Sequence, residues 1–355
     1  MSGPFTSEVP PRSLAAVQDS STKTICTQER DTPTPESTQV LVRISCTGVC
    51  ATDLHLCRRD LPYLQPTVSV GGHEGVGDIA SLGSNVNKSL WKIGDRVGVR
   101  WLHRVCLQCD LCTSGYENLC PNRKISGKDV EGCFAQYALA DSEYLVRIPE
   151  MVSDPDAAPI LCAGVTVYKA LKIAQLRKGS WVAVAGAGGG LGHLAIQYAK
   201  AMGLRPIGLD AGKKDICLTI GAEAYVDVLE TNDSVAAEVQ RVTGGASGAL
   251  ICASNGRAYA DAVKYLAKAG TMVCIGLPPR PSPIPVLPED FIARGIKIMG
   301  TSTGTLKDTE EALDFVAQGL VKPRLVEKSL DDIESVLEDI EHAKVEGRVV
   351  IRMVH

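Results

Sequence analysis

WVAVAGAGGGLGHLAIQYAKAMG (181–203) opens with five apolar residues, turns through five glycines in seven positions, and continues with apolar residues at helical spacing. An apolar strand, a glycine turn and a helix in that order suit a dinucleotide. The glycines let the backbone approach a pyrophosphate, and the helix N-terminus favours its negative charge. Gly186, Gly188, Gly189, Gly190, Leu191 and Gly192 are the candidate cofactor loop. Asp210 ends the next apolar run, 18 residues after Gly192, where a carboxylate can accept both ribose hydroxyls of an adenosine. It would repel a 2′-phosphate, which favours NAD over NADP, although Lys213 and Lys214 soften that preference. The bland alternative is a glycine turn used only for tight helix packing.

Strand-like runs at 181–184, 206–210, 224–226, 249–253, 271–275 and 296–299 alternate with helical patterns at 191–202, 213–220, 234–242 and 259–268. Gly203, Gly221 and Gly270 stand where helix-ending glycines belong. Six strands with helical crossovers predict an α/β fold, a doubly wound parallel sheet of Rossmann type. Before it, short runs at 39–44, 75–81 and 96–99 are broken by glycine, proline and polar turns, which predicts a β-rich, barrel-like domain. After it come helices at 309–317 and near 333–343 and a closing strand at 348–351, expected to rejoin the first domain.

Thirteen cysteines need an explanation, and Cys106, Cys109, Cys112 and Cys120 supply one. Their C-x2-C-x2-C-x7-C order can close a tetrahedron around one Zn²⁺ with no open position, a structural site. A lobe of free thiols would oxidise readily, and a disulfide pair does not suit a chain with no sign of secretion. Cys50-Ala51-Thr52-Asp53-Leu54-His55 and Gly71-Gly72-His73-Glu74-Gly75 offer ligands for a second, catalytic metal. Such a site needs about three protein ligands and an open position. Cys50 and His73 are good donors and Cys162 is a plausible third, but spacing alone does not pick it from the remaining cysteines.

The 355 residues suit two domains, and 45% hydrophobic with 22% charged residues is globular. Lys and Arg number 37 against 41 Asp and Glu, a net charge of −4 without a basic run, so nucleic acid and anionic membrane are excluded as partners. No leader pattern opens the chain and no apolar stretch is long enough to span a bilayer, so the expected location is cytoplasmic.

Taken together, GVCATDLH (48–55), VGGHEGVG (70–77), WKIGDRVGVRWL (91–102), the four-cysteine lobe, APILCAGVTVYKALK (158–172), the glycine loop and VEGRVVI (345–351) resemble the zinc-dependent medium-chain alcohol dehydrogenases, closest to their yeast-type fungal branch. The resemblance implies a GroES-like catalytic domain over 1–163 with a zinc lobe near 104–122, an NAD-binding domain over 164–300, and a return to the catalytic domain over 301–355. It implies two zincs per subunit: a catalytic one on Cys50, His73 and Cys162, and a structural one on the four-cysteine lobe. Glu74 would lie close behind the metal and Asp53 would orient His73. Thr52 would bond the substrate oxygen, His55 would finish a proton relay, and Arg348 would reach the cofactor phosphates. The implied reaction is hydride transfer between a primary or secondary alcohol and NAD, with an aldehyde or ketone reduced in reverse, by a homo-oligomer, a tetramer before a dimer; the alternative is a family member specialised for a biosynthetic aldehyde or alcohol intermediate.

Two positions depart from the pattern. Ala51 stands where relatives carry histidine or arginine against the pyrophosphate, a loss of roughly 1–3 kcal/mol of cofactor binding. In the substrate pocket Trp101 is kept, but a second tryptophan position is Leu61, which predicts room for alcohols larger than ethanol. A zinc-free enone reductase lacks the ligand motifs, and a silent scaffold would not need Cys50, Thr52, His55, His73, Glu74 and Cys162 together.

Overall fold

The computed structural model describes residues 9–231 and 234–355. The reading of residues 1–8 as free of a leader lies outside the described residues. The chain forms two compact units. One comprises Met1–Cys162, Thr305–Ala317 and Leu325–His355; the other comprises Ala163–Gly304 and Gln318–Arg324. The chain thus leaves the first unit after Cys162 and re-enters it at Thr305, and residues 318–324 go back to the second unit.

In the first unit, β1 (Arg12–Asp19) and β2 (Thr24–Asp31) form an antiparallel hairpin. β3 (Gln39–Val49), β4 (Gly75–Leu82), β5 (Arg96–Val99), β6 (Leu102–Arg104), β7 (Lys124–Ile125), β8 (Tyr137–Asp141) and β9 (Val146–Arg147) follow. The run expected at 39–44 extends to Val49 because β3 serves three neighbours. β4 pairs along it, β8 pairs with its first half, and the closing strand of the chain pairs with its last residues. Register shifts at Leu41/Val42 and Ile44/Cys46 bend the long strand so that it can do so. Val40, Val42, Ile44, Ile79, Val97 and Ala138 bury together beneath it.

In the second unit, β10 (Trp181–Ala185), β11 (Arg205–Asp210), β12 (Ala224–Asp227), β13 (Ala246–Ile251), β14 (Leu266–Cys274) and β15 (Lys297–Gly300) make one parallel sheet in the order β12-β11-β10-β13-β14-β15. In local numbering that is 3-2-1-4-5-6, the doubly wound Rossmann order. Ala183, Ile207, Ala249, Ile251, Met272 and Tyr265 bury on it.

One expected helix ends early. The reading of 259–268 becomes a helix over Gly256–Tyr265, started by Asn255, whose side chain accepts from the Ala258 amide at 2.9 Å. Leu266 already has extended backbone and begins β14. The left-handed residue there is Ala269 (φ 60°), so Gly270 is not the helix-ending glycine that the sequence suggested, whereas Gly203 and Gly221 do carry positive φ.

The chain closes in the first unit with β16 (Leu325–Ser329), the helix Ile333–Glu341 and β17 (Arg348–Arg352), which lies parallel to β16 and antiparallel to β3. Among the described residues no single helix is long and apolar enough to cross a membrane.

Candidate active site

Cys50 leaves the end of β3 and caps a helix over Ala51–Arg58. His73 and Glu74 directly precede β4, and Cys162 follows a short helical turn at Ala158–Leu161. Elements far apart in sequence thus bring together four donors, whose ligand atoms all lie within 4.8 Å of one another. The set lies wholly inside the first unit.

The donors fit zinc. Ligand distances of about 2.0–2.3 Å in a tetrahedron put donor atoms roughly 3.3–3.8 Å apart, a size this cluster can close around. His73 Nε2 and Glu74 Oε2 are buried and have no hydrogen-bond partner among the described residues. Such orphaned buried atoms are rare unless an unseen water or ion satisfies them. The Cys50 thiol is held well below its usual range by its hydrogen bond with Cys162, against its burial, and the positive His73 and Arg348 add to this. A thiolate is the ligand form.

Around this set, Asp53 is fully buried and accepts from His73 Nδ1 at 3.0 Å, which aims Nε2 into the cluster. Its other contacts, with the Gly72 amide at 3.2 Å and the Cys50 amide at 2.9 Å, tie both ligand segments to one carboxylate. Burial pulls the His73 pKa down, but Asp53's charge and hydrogen bond outweigh it and hold it well above the usual value. Thr52 Oγ1 is 3.6 Å from Cys50 Sγ. The Trp101 ring meets His73 edge to face, centroids 4.8 Å apart.

Arg348, assigned by the resemblance to cofactor phosphates, has a buried guanidinium paired with Glu74. A buried cation needs a countercharge, and Glu74 is the acid within reach. Burial pushes Glu74 up to about 7 even with Arg348 lowering it. His55 is half-buried and its Nδ1 meets both oxygens of Asp60, at 2.9 and 3.0 Å. Leu61 lies in the next turn, its carbonyl accepting from the Leu64 amide, and Tyr63 is half exposed. Ala51 is exposed on the first turn of its helix.

Three of these partners were missed in the sequence. Asp60 sits beyond the helix end, where the left-handed Arg59 (φ 53°) turns the chain back toward His55. Gly48 leaves room for Glu74, and the Arg348–Glu74 pair joins residues 274 positions apart. Only the short step from His55 to Asp60 left any signal.

The four cysteines of the lobe also converge, with sulfurs 3.6 Å (Cys106–Cys120), 3.9 Å (Cys106–Cys112) and 4.0 Å (Cys109–Cys120) apart. Zinc–sulfur bonds of about 2.3 Å in a tetrahedron require roughly 3.8 Å, whereas a disulfide would be about 2.05 Å. The amides of Gln108 and Cys109 point at Cys106 and lower it to about 6, again toward thiolate. Leu102, Val105 and Tyr144 pack beside the cluster.

In the second unit the glycine loop follows β10. A side chain on Gly192 would meet the Gly186 carbonyl oxygen at 2.0 Å, so the helix could not start so close to the strand with any other residue. Gly188 donates to Asp210 Oδ2 at 2.7 Å and Ala211 to Oδ1 at 2.8 Å, which fixes the carboxylate at the tip of β11. Gly186 and Asp210 line a cavity of about 330 Å³ together with Asn255 and Arg257. Lys213 lies against Gly188.

Comparison with known proteins agrees in both units. Residues 36–150 match the family described as alcohol dehydrogenase GroES-like domain, and residues 190–318 match zinc-binding dehydrogenase. An alcohol dehydrogenase of Geobacillus stearothermophilus is 40% identical across 96% of this chain and 98% of its own. Alcohol dehydrogenase 2 of Emericella nidulans is 38% identical across 97% and 98%. The structure of acetophenone reductase from Geotrichum candidum in complex with NAD superposes with a TM-score of 0.84 at 28% identity, covering 98% of each chain. With likeness of that extent running through both units, the chain belongs to the zinc-dependent medium-chain alcohol dehydrogenase family.

Proposed function

We propose that this protein oxidises primary or secondary alcohols with NAD, reduces the matching aldehydes or ketones in reverse, and accepts substrates larger than ethanol. The observation that carries the reading is the Cys50–His73–Cys162 donor set with the orphaned His73 Nε2 at its centre. Zinc held there supplies Lewis acidity to a substrate oxygen, and NAD supplies the hydride acceptor.

The chain's own residues do the rest. Asp53 locks the His73 ring. Thr52, next to the metal donor Cys50, is positioned to bond the substrate hydroxyl and take its proton toward His55, one turn along the same helix. Arg348 and Glu74 neutralise each other beneath the thiolates, and Glu74 keeps one oxygen unpaired. The carboxylate of Asp210 supports NAD over NADP, against the nearby Lys213 and Arg257.

No cysteine forms a disulfide among the described residues, which suits a reducing compartment such as the cytoplasm. β15 ends its sheet as an edge strand, and nearby Leu287 and Ile292 are 58% and 85% exposed. Such an edge invites a second copy, in keeping with a homo-oligomer, a tetramer in our reading.

The test is kcat/KM over primary alcohols of increasing chain length with NAD⁺ and NADP⁺. Efficiency should rise beyond ethanol and be higher with NAD⁺. An optimum at ethanol rejects the wide pocket, a preference for NADP⁺ rejects the role of Asp210, and no turnover of any alcohol or aldehyde rejects the reaction.

A further inference from the structure

The His55–Asp60 pair has a consequence for the proton path, one that rests on the reaction proposed above. Thr52 and His55 are three residues apart on one helix, hence on the same face. The helix ends at the left-handed Arg59, and the reversal carries Asp60 back so that both its oxygens face His55 Nδ1 at 2.9 and 3.0 Å. His55 Nε2 makes no hydrogen bond among the described residues. The neighbouring acids on the C-terminal helix are otherwise engaged: Glu334 pairs with Arg58 at 2.8 Å, and Glu341 lies 3.6 Å from it. Asp53, on the same helix, is taken by His73. Asp60 is therefore the charged group that meets His55.

We propose that Asp60 is a positioning residue that fixes the tautomer of His55, with the proton on Nδ1 and the lone pair on Nε2. A carboxylate can only accept, so a neutral ring beside it must present Nδ1–H. One proton from the alcohol hydroxyl, passed by way of Thr52, forms the Nε2–H bond. The imidazolium is stabilised by the Asp60 carboxylate beside Nδ1, and the same proton leaves Nε2 to water. The Nε2 lone pair forms the new bond, the O–H pair stays on oxygen, and no oxidation state changes in this step. An aspartate that orients a histidine in this way also prevents the wrong tautomer, the fault an asparagine introduces.

The experiment is ¹⁵N NMR of the histidine-labelled, zinc-loaded protein, with His55→Gln to assign the signal among six histidines, alongside Asp60→Asn and Asp60→Glu. Near neutral pH the wild type should show His55 protonated at Nδ1. Asp60→Asn should shift the population toward Nε2–H and lower kcat for alcohol oxidation about 10- to 100-fold, the range for lost outer partners. KM and zinc content should change little, and Asp60→Glu should restore much of kcat. A wild-type ring protonated at Nε2, or an unchanged tautomer and kcat in Asp60→Asn, overturns the proposal. If the tautomer responds but the wild type turns over no alcohol, the positioning stands and the proposed reaction fails.

Discussion

Gly48 has no side chain because Glu74 fills the space one would need. A Cβ there would sit 1.9 Å from Glu74 Oε2, the oxygen left unpaired beside the metal donors. Gly48→Ala should therefore push Glu74 away from the cluster. We expect about 1–3 kcal/mol lower stability in urea, the usual effect of overpacking, and weaker zinc retention against a chelator. An unchanged midpoint with unchanged retention would mean that the carboxylate moves aside freely. At this scale the sequence was uneven. Cys50 and His73 stood out as donor types in short motifs, and Asp53 entered through the resemblance; the fold brings the three together. Gly48 was not, because a glycine that makes room for a distant carboxylate looks like any other glycine in a strand. The Arg348–Glu74 pair was hidden for the same reason: only the fold brings the two together.

Elements differ in how much of them is local. The strands and helices around the glycine loop follow from periodicity, and Ser234 and Gly244 bracket their helix with a side-chain cap and a left-handed exit. The helix expected at 259–268 was misjudged because apolar spacing continues through LAKAG while the backbone has already switched to strand, a tertiary demand of the sheet. β6 carries a different burden. His103 is buried there with no ion pair among the described residues, and burial, then the nearby Arg104, lowers its pKa to about 4. The folded ring stays neutral while the unfolded one gains a proton below about 6.5. The stability this group supports is complete above pH 6.5 and is lost as pH falls toward about 4, roughly 3 kcal/mol in all. In urea titrations His103→Gln should flatten that part of the pH profile relative to the wild type. Parallel profiles for the two proteins would show that His103 is not the titrating group.

Across the whole molecule, one chain builds a β-rich unit with both groups of residues that could hold a metal and a Rossmann unit with the glycine loop. The sequence pattern changes near residue 163, and the first segment of the β-rich unit ends at Cys162. The return of residues 318–324 to the Rossmann unit was not legible, since these few residues carry no period of their own. There Gln197 accepts from the Lys322 amide at 2.8 Å and His193 from the Arg324 amide at 3.3 Å, which ties the segment to that unit by contacts no pattern announces. We infer two separate zinc sites, one of which carries the reaction. Zinc per subunit, measured beside NAD⁺-dependent alcohol oxidation for the wild type and for Cys162→Ser, tests this most directly. The wild type should hold two zincs and turn over alcohol, whereas the variant should fold, hold one zinc and show no turnover. Two retained zincs with undiminished oxidation in Cys162→Ser would contradict this.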